Sequence, residues 1–181
     1  MTRLTFHNDR EREQYFGEFC GKYLNEYFFA LKVKGLFTAP ASTKFHGTYQ
    51  GGLFDHSANV AHALYSMTIA LGLSWEREES PYIIGMLHDL CKVDQYKFDV
   101  EKDGYVWNND PVIKGHGMKS VIYAQHMGIR LTDEEIACIA YHMGAYCPKE
   151  EWGDYDNAIR KYPNVLWTHT ADMTASKIWE V

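Results

Sequence analysis

Paired cysteines are missing from this sequence. The four cysteines stand singly along 181 residues, without a CxxC spacing, at Cys20, Cys91, Cys138 and Cys147. Without pairs, neither a disulfide framework nor a cysteine zinc site is indicated, and we expect reduced thiols in a cytoplasmic compartment. Cys91 lies near a histidine–aspartate pair and is a candidate ligand. A small apolar core residue is the favoured interpretation, because its neighbours already supply enough ligands.

Long apolar runs are absent as well. No run approaches the roughly 20 residues that are needed to cross a bilayer. The opening residues MTRLTFHNDREREQ contain no apolar stretch of the kind found in signal peptides. The sequence therefore predicts a protein without a membrane partner.

Excess positive charge is the third absence. The formal net charge is −6, whereas binding to long duplex nucleic acid relies on Lys and Arg side chains that neutralise phosphates. A long duplex is therefore not expected as a partner. Phosphate chemistry inside a pocket stays compatible with this balance, because bound divalent cations would add positive charge there.

The hydrophobic pattern is that of a helical domain. Hydrophobic residues make up 46% of the chain, which is enough for a packed core. We predict an all-α bundle with one small β-hairpin insertion, made of an N-terminal helical extension over 1–45 and a domain over 46–181. The hairpin is expected within 96–108. Helices are expected over residues 10–32, 53–71, 115–128 and 164–179. Another helix is expected to start at Ser80-Pro81, and another to run from the capping box Thr132-x-x-Glu135 to about His142.

Five short stretches carry imidazole and carboxylate groups that suit a metal site. The central stretch, residues 85–92, places His88 and Asp89 in an apolar run, where burial is costly without a partner. A divalent cation is such a partner, since both groups are good ligands for first-row metals. Lys92 follows His88 by four residues and is predicted on the same helical face. In chain order the stretches supply His56, His88-Asp89, His116, His142 and Asp172.

The order H…HD…H…H…D resembles that of the HD-domain superfamily of metal-dependent phosphohydrolases, in its two-metal branch. The stretch Gly51-Gly52-Leu53-Phe54-Asp55-His56-Ser57 and the expected hairpin resemble the HD modules of some bacterial 3′–5′ exoribonucleases. The resemblance covers about residues 46–177. It departs from the common HDIGK text at Leu90 and Cys91, which removes no ligand.

The resemblance implies two divalent transition-metal ions, drawn from Mn, Fe, Co, Ni or Zn. It implies that the first ion is held by His56, His88, Asp89 and Asp172. It implies that the second is held by Asp89, His116 and His142. Such a pair activates a bridging hydroxide for attack on phosphorus, and Lys92 would offset charge on the phosphoryl oxygens. Neither a G-x-S-x-G elbow nor a G-x-x-x-x-G-K-[ST] loop occurs to suggest another route.

Substrate-binding residues are predicted from less specific signals. His46 precedes His56 by ten residues and could line the pocket and protonate a leaving group, or be a loop histidine without a role. Tyr146 and Arg160 belong to a stretch of aromatics and cations that suits stacking on a base and holding a phosphate, or a surface loop packed by its own aromatics. With Lys92, these residues predict a small anionic, phosphate-containing substrate, a nucleotide or short oligonucleotide.

Two other functions stay open at this point. The same ligands suit iron, and some HD-fold proteins are di-iron oxygenases. A non-catalytic binding module is the other alternative, although a scaffold needs neither intact ligands nor Lys92.

Overall fold

The protein is described from a computed structural model, which covers residues 2–181. Its α-helices are α1 (Asp9–Tyr15), α2 (Gly21–Leu24), α3 (Phe28–Lys34), α4 (Gly52–Leu71), α5 (Ser80–Leu87), α6 (Gly117–His126), α7 (Asp133–Ala140), α8 (Trp152–Lys161) and α9 (Asn164–Met173). Its strands are β1 (Tyr96–Asp99) and β2 (Gly104–Trp107). The predicted all-α bundle with one small hairpin is therefore confirmed.

The hairpin forms where the sequence predicts it. β1 and β2 pair antiparallel, with Tyr96 opposite Trp107 and Asp99 opposite Gly104. Asp103 takes the left-handed conformation, with φ at 46°, which aspartate tolerates better than most residues. The strands lie between α5 and α6, so they separate two of the candidate ligand stretches along the chain.

The N-terminal region is helical but not one helix, contrary to the expectation over 10–32. A π-helical turn, Phe16–Cys20, and a 3₁₀ turn, Asn25–Tyr27, interrupt it. Glycine is a poor helix former, and Gly17 and Gly21 lie at these interruptions. α1 is joined to α4 by a buried ion pair in which Arg12 donates to both oxygens of Asp55, at 2.6 and 3.0 Å. The division into an extension over 1–45 and a domain over 46–181 stays a prediction.

The centre of the molecule is the crossing of α4 and α5. Gly85 lies so close to Ala61 that a Cβ atom at residue 85 would approach the Ala61 backbone to 2.4 Å. This close approach is what a glycine at a helix crossing permits. It brings the first turns of α4 and the end of α5 together, with His56 and His88 both fully buried.

Three helices end earlier than the hydrophobic pattern predicts. α5 ends at Leu87, and a 3₁₀ turn, Leu90–Val93, carries Lys92, so the continuing helix expected through Lys92 is wrong. α7 begins at its capping box as predicted but ends at Ala140, before His142. The last helix likewise gives way at Thr174 to a π-helical turn, Thr174–Ile178. In each case the change of backbone lies within a few residues of a candidate ligand.

Membrane-spanning helices are not found among residues 2–181, since no helix there combines the required length and apolarity.

Candidate metal centre

Six side chains from separate parts of the fold meet in the interior. His56 comes from the first turns of α4, His88 from the residue after α5, and Asp172 from the last turn of α9. His116 directly precedes α6, and His142 lies two residues beyond α7. Asp89 stands between them. The structure therefore brings together all the ligand residues that the sequence predicts.

One side of Asp89 faces what we call the first cluster, His56, His88 and Asp172. The Nε2 atoms of His56 and His88 are 3.2 Å apart, and Asp172 Oδ1 is 3.2 Å from His56 Nε2. Asp89 Oδ2 lies 3.5 Å from His56 Nε2 and 3.4 Å from His88 Nε2. His56, His88 and Asp172 form a group whose ligand atoms are close enough to hold one cation, and Asp89 Oδ2 lies near both of its imidazoles.

The other side of Asp89 faces the second cluster, His116 and His142. Asp89 Oδ1 lies 3.1 Å from His116 Nε2 and 3.6 Å from His142 Nε2. The two Nε2 atoms are 3.2 Å apart. Each oxygen of the Asp89 carboxylate therefore lies close to a different pair of imidazoles.

The outer nitrogen of each buried ligand histidine is occupied by a main-chain oxygen. Nδ1 of His88 bonds to Gly85 O at 2.8 Å, and Nδ1 of His142 bonds to Ile139 O at 2.7 Å. Nδ1 of His56 bonds to Val181 O at 2.7 Å. Because an oxygen only accepts, Nδ1 must carry the proton in all three rings, which leaves a lone pair on each inward Nε2.

This tautomer makes the interior a set of acceptors that face one another. Lone pairs of His56 and His88 meet at 3.2 Å, and within residues 2–181 the buried Asp89 Oδ1 has no hydrogen-bond partner. Protonating both rings of a pair would set two N–H groups against each other, and a proton on one ring would satisfy that contact only by burying a charged imidazolium. A cation between the acceptors resolves the conflict, and imidazole with carboxylate suits a divalent transition metal. The residues present thus fit metal ions.

A comparison with family models returns one match, to the HD domain, over residues 53–164. The chain belongs to the HD domain family. HD domains bind divalent metals and are typically metal-dependent phosphohydrolases. The matched range contains His56, His88, Asp89, His116 and His142. Searches of curated proteins and of solved structures returned no match.

Asp172 lies beyond the range that matches the HD domain model. Its place in the centre is secured by its contact with His56 and by the packing of α9 on α4. Burial by itself raises the pKa of Asp172, but the neighbouring imidazoles, His56 first among them, have the opposite effect, and the net shift lowers the pKa. The carboxylate form, which is the form that binds metal, is favoured.

Lys92 is the partner of Asp89 on the first-cluster side of this HD domain. Its Nζ lies 2.6 Å from Asp89 Oδ2, and both side chains are buried. Burial raises the pKa of Asp89, but the Lys92 charge outweighs it and holds the pKa well below its usual range. Burial lowers the pKa of Lys92, and the Asp89 charge overcomes this and raises it to about 12. The pair is therefore ionic.

Cys91 lies beside the second cluster. Its Sγ is 3.1 Å from Nδ1 of His116, and Cys91, His116 and Asp89 have ligand atoms within 4.8 Å of one another, which is close enough to hold a cation. Burial raises the pKa of the Cys91 thiol to about 12, so it stays protonated. In that form the thiol contacts the His116 ring, a contact that the single-cysteine pattern did not predict.

A cavity of about 270 Å³ opens onto the centre. Of the residues predicted to bind substrate, His46, Lys92 and Tyr146 line it. Arg160 is not among its lining residues within the described part of the chain, and it is exposed on α8, where it pairs with Asp156 at 2.9 Å. Of the predicted aromatic and cationic stretch, Tyr146 thus reaches the cavity, whereas Arg160 on α8 does not.

His46 stacks near His56, with ring centres 4.8 Å apart. Its Nε2 is buried and makes no hydrogen bond within residues 2–181. Burial, then the neighbouring His56 and Lys92, lowers the pKa of His46 to about 4. The lowered pKa favours the neutral imidazole, and the predicted general-acid role of His46 stays a prediction.

Sequence reasoning missed several lining residues of the cavity. His169 donates its Nδ1 proton to His142 O at 2.8 Å and turns its other face to the cavity. One available signal was the helical spacing along the last helix, since positions 169, 172–173 and 176–177 recur every three or four residues. His169, three residues before Asp172, could be expected at the edge of the site, whereas the missed lining residues are Ala41, Ser42, Phe45, Gln95, Tyr96, Met143, Met173, Ser176 and Lys177.

Proposed function

We propose that this protein is a metal-dependent phosphohydrolase that cleaves a phosphoester bond of a nucleotide or short oligonucleotide with two divalent ions. The observation that carries the proposal is that the two carboxylate oxygens of Asp89 face different histidines. Oδ2 faces His56 and His88, and Oδ1 faces His116 and His142. A carboxylate shared in this way suits a bridge between two ions. Membership of the HD domain family supports the hydrolytic class.

The first ion would be held by the first cluster and Asp89 Oδ2, and the second by the second cluster and Asp89 Oδ1. Bound divalent ions supply an activated water and neutralise charge on a phosphoryl group. The chain contributes fixed acceptors in a buried setting, because the Nδ1 bonds to main-chain oxygens hold the rings in one tautomer. Preorganised ligands of this kind need little rearrangement during the reaction.

Lys92 supplies positive charge beside these ligands. Its ammonium lies at the cavity wall and against Asp89 Oδ2. From that position it can donate a hydrogen bond to a phosphoryl oxygen while it keeps the carboxylate oriented. Charge-assisted donors aimed at developing negative charge are among the larger contributions to phosphoryl transfer.

The outer part of the cavity suits a planar, anionic ligand. Phe45 and Tyr146 are 82% and 67% exposed at its rim, where aromatic rings are available for stacking. Lys177 holds its Nζ 5.7 Å from the Phe45 ring centre, which adds a cation at the same place. The cavity volume of about 270 Å³ lies just below the range of about 300–1,000 Å³ common for small-molecule pockets, which favours a small ligand over a long strand.

The test is a substrate screen on protein of known metal content. The purified chain is stripped with chelator, reloaded with Mn²⁺, Co²⁺, Ni²⁺, Fe²⁺, Zn²⁺ or Mg²⁺, and assayed on mono-, di-, cyclic and oligonucleotides and on a generic phosphodiester. We expect two bound ions and phosphate or nucleotide release that depends on them. Metal-dependent hydrolysis of none of these compounds would contradict the proposal. Oxygen consumption by the iron form with an organic substrate would instead favour the oxygenase alternative.

A further inference from the structure

His56 differs from the other ligand histidines in what holds its outer nitrogen. His88 and His142 use main-chain oxygens three residues earlier, which form with the local helical turn. His56 uses Val181 O, 125 residues away along the chain. One ligand of the first cluster is therefore oriented by a segment that has to dock from elsewhere in the fold.

The docked segment, residues 179–181, is tied down at several points. Val181 is 2% exposed, and its N–H donates to Ala175 O at 3.1 Å. Trp179 N donates to Thr174 O at 3.0 Å, and Arg3 Nη1 donates to Trp179 O at 3.0 Å. These bonds bring the Val181 oxygen to His56 as part of a defined local structure.

The backbone of the segment depends on one unusual residue. Glu180 has φ at 54°, the left-handed region that L-residues other than asparagine and aspartate rarely adopt. This turn lies between the Trp179 bond to Thr174 and the Val181 bond to Ala175. The Glu180 side chain is exposed. Residue 180 therefore controls the docking of Val181 without touching any ligand.

We propose that Val181 is a positioning residue whose docked main-chain oxygen sets the metal affinity of the first cluster. The inference rests on the proposed two-metal function. It implies reciprocal coupling, because whatever docked Val181 adds to metal affinity, bound metal adds to the docking of residues 179–181. His116 and His142 have partners elsewhere, so the second cluster is outside this coupling.

Two substitutions of the same exposed residue test the proposal. Glu180→Gly permits the positive φ, whereas Glu180→Pro fixes φ near −65° and also disfavours the helical conformation of Trp179 before it. Both remove the same charge, so they differ in backbone freedom. Each variant of the 1–181 chain, stripped of metal, is titrated with Co²⁺ while heat and the visible absorption of the ion are recorded.

We expect wild type and Glu180→Gly to bind two equivalents alike. Glu180→Pro should bind one equivalent about 10- to 100-fold more weakly, the range for losing a partner behind a metal ligand, and the other unchanged. Far-UV circular dichroism and thermal unfolding of the metal-free variants check the fold. Equal affinities in the Gly and Pro variants would overturn the proposal while leaving the proposed function intact.

A second measurement needs no variant. In the wild-type chain, the Val181 amide should exchange its hydrogen more slowly with Co²⁺ than without it, because bound metal favours the docked segment. Exchange that is the same with and without bound Co²⁺ would overturn the proposal. A wild-type chain that binds no Co²⁺, Mn²⁺ or Fe²⁺ would overturn this inference and the proposed function together.

Discussion

The two sides of Asp89 are built differently. His56 and His88 are 0% exposed and come from the α4–α5 crossing at the centre of the core. On the other side, the His116 side chain is 29% exposed. It directly precedes α6, and the Cys91 thiol lies 3.1 Å from its Nδ1. The two clusters therefore differ mainly at His116, since His142 is as fully buried as His56 and His88.

This difference concerns how firmly each cluster is held. Moving a ligand of the first cluster requires the core to shift, and close-packed interiors resist such movement. Moving His116 requires only a rearrangement of the loop before α6. We therefore expect tighter binding in the first cluster and faster exchange in the second, where solvent and substrate have access through the cavity.

The largest loss of activity should come from replacing Asp89, the residue that the two clusters share. Asp89→Asn takes away a negative ligand from both clusters and should lower kcat/KM by more than about 10³-fold, beyond the loss typical of a single electrostatic contribution. It also leaves Lys92 buried without its ion-pair partner, at a cost of about 3–5 kcal/mol in the unfolding free energy of the metal-free protein. Steady-state kinetics and urea unfolding measure the two effects.

Asp154→Asn, an exposed aspartate on α8, is the control. The double variant Asp89→Asn/Lys92→Met should recover much of the stability but none of the activity. Near-native turnover in Asp89→Asn would contradict the shared bridge.

The next effect probes the first-cluster side alone. Lys92→Ala removes the ammonium beside Asp89 Oδ2 and should lower the single-turnover rate about 100- to 1000-fold while both ions stay bound. Metal content and rate are measured on one preparation. Loss of an ion would mean that Lys92 acts mainly through Asp89, and an unchanged rate would return it to a structural role. Lys97→Ala, an exposed lysine of β1, is the matched control.

A paired experiment tests the comparison directly. His56→Ala and His116→Ala each remove one imidazole, and each should weaken one metal by more than about 100-fold, since losing even an outer partner costs 10- to 100-fold. The affected ion should be the tighter one in His56→Ala and the weaker one in His116→Ala. Calorimetric titration separates them, and loss of the same ion in both variants would refute two distinct clusters.

The smallest loss of metal affinity is expected from replacing Cys91, which contacts His116. Cys91→Ala removes the sulfur 3.1 Å from its Nδ1 and should weaken the second ion about 10-fold, the lower end for such partners because sulfur is a weak acceptor. Cys138→Ala removes a buried thiol that has no hydrogen bond to a ligand histidine among residues 2–181, and it serves as the control for lost packing. Equal effects of the two substitutions would deny Cys91 a positioning role.

Much of the site was predictable because its signals are local. The order of histidines and aspartates is a property of the chain, and the capping box at Thr132 and the hairpin turn are decided by neighbouring residues. The helical pattern likewise follows from the spacing of apolar residues. Hence the all-α class, the hairpin and the six ligand candidates could be named before any tertiary contact was known.

Only the tertiary structure decided how these groups meet. Which oxygen of Asp89 faces which histidines depends on where α5 ends, and a helix end is set by packing as well as by sequence. Arg160 could not be excluded from the cavity by composition, since its position follows from the direction of α8. The partners of His56 and His116, Val181 and Cys91, lie 125 and 25 residues away. Contacts over such separations are fixed by the crossing of helices in the core, which no local spacing encodes.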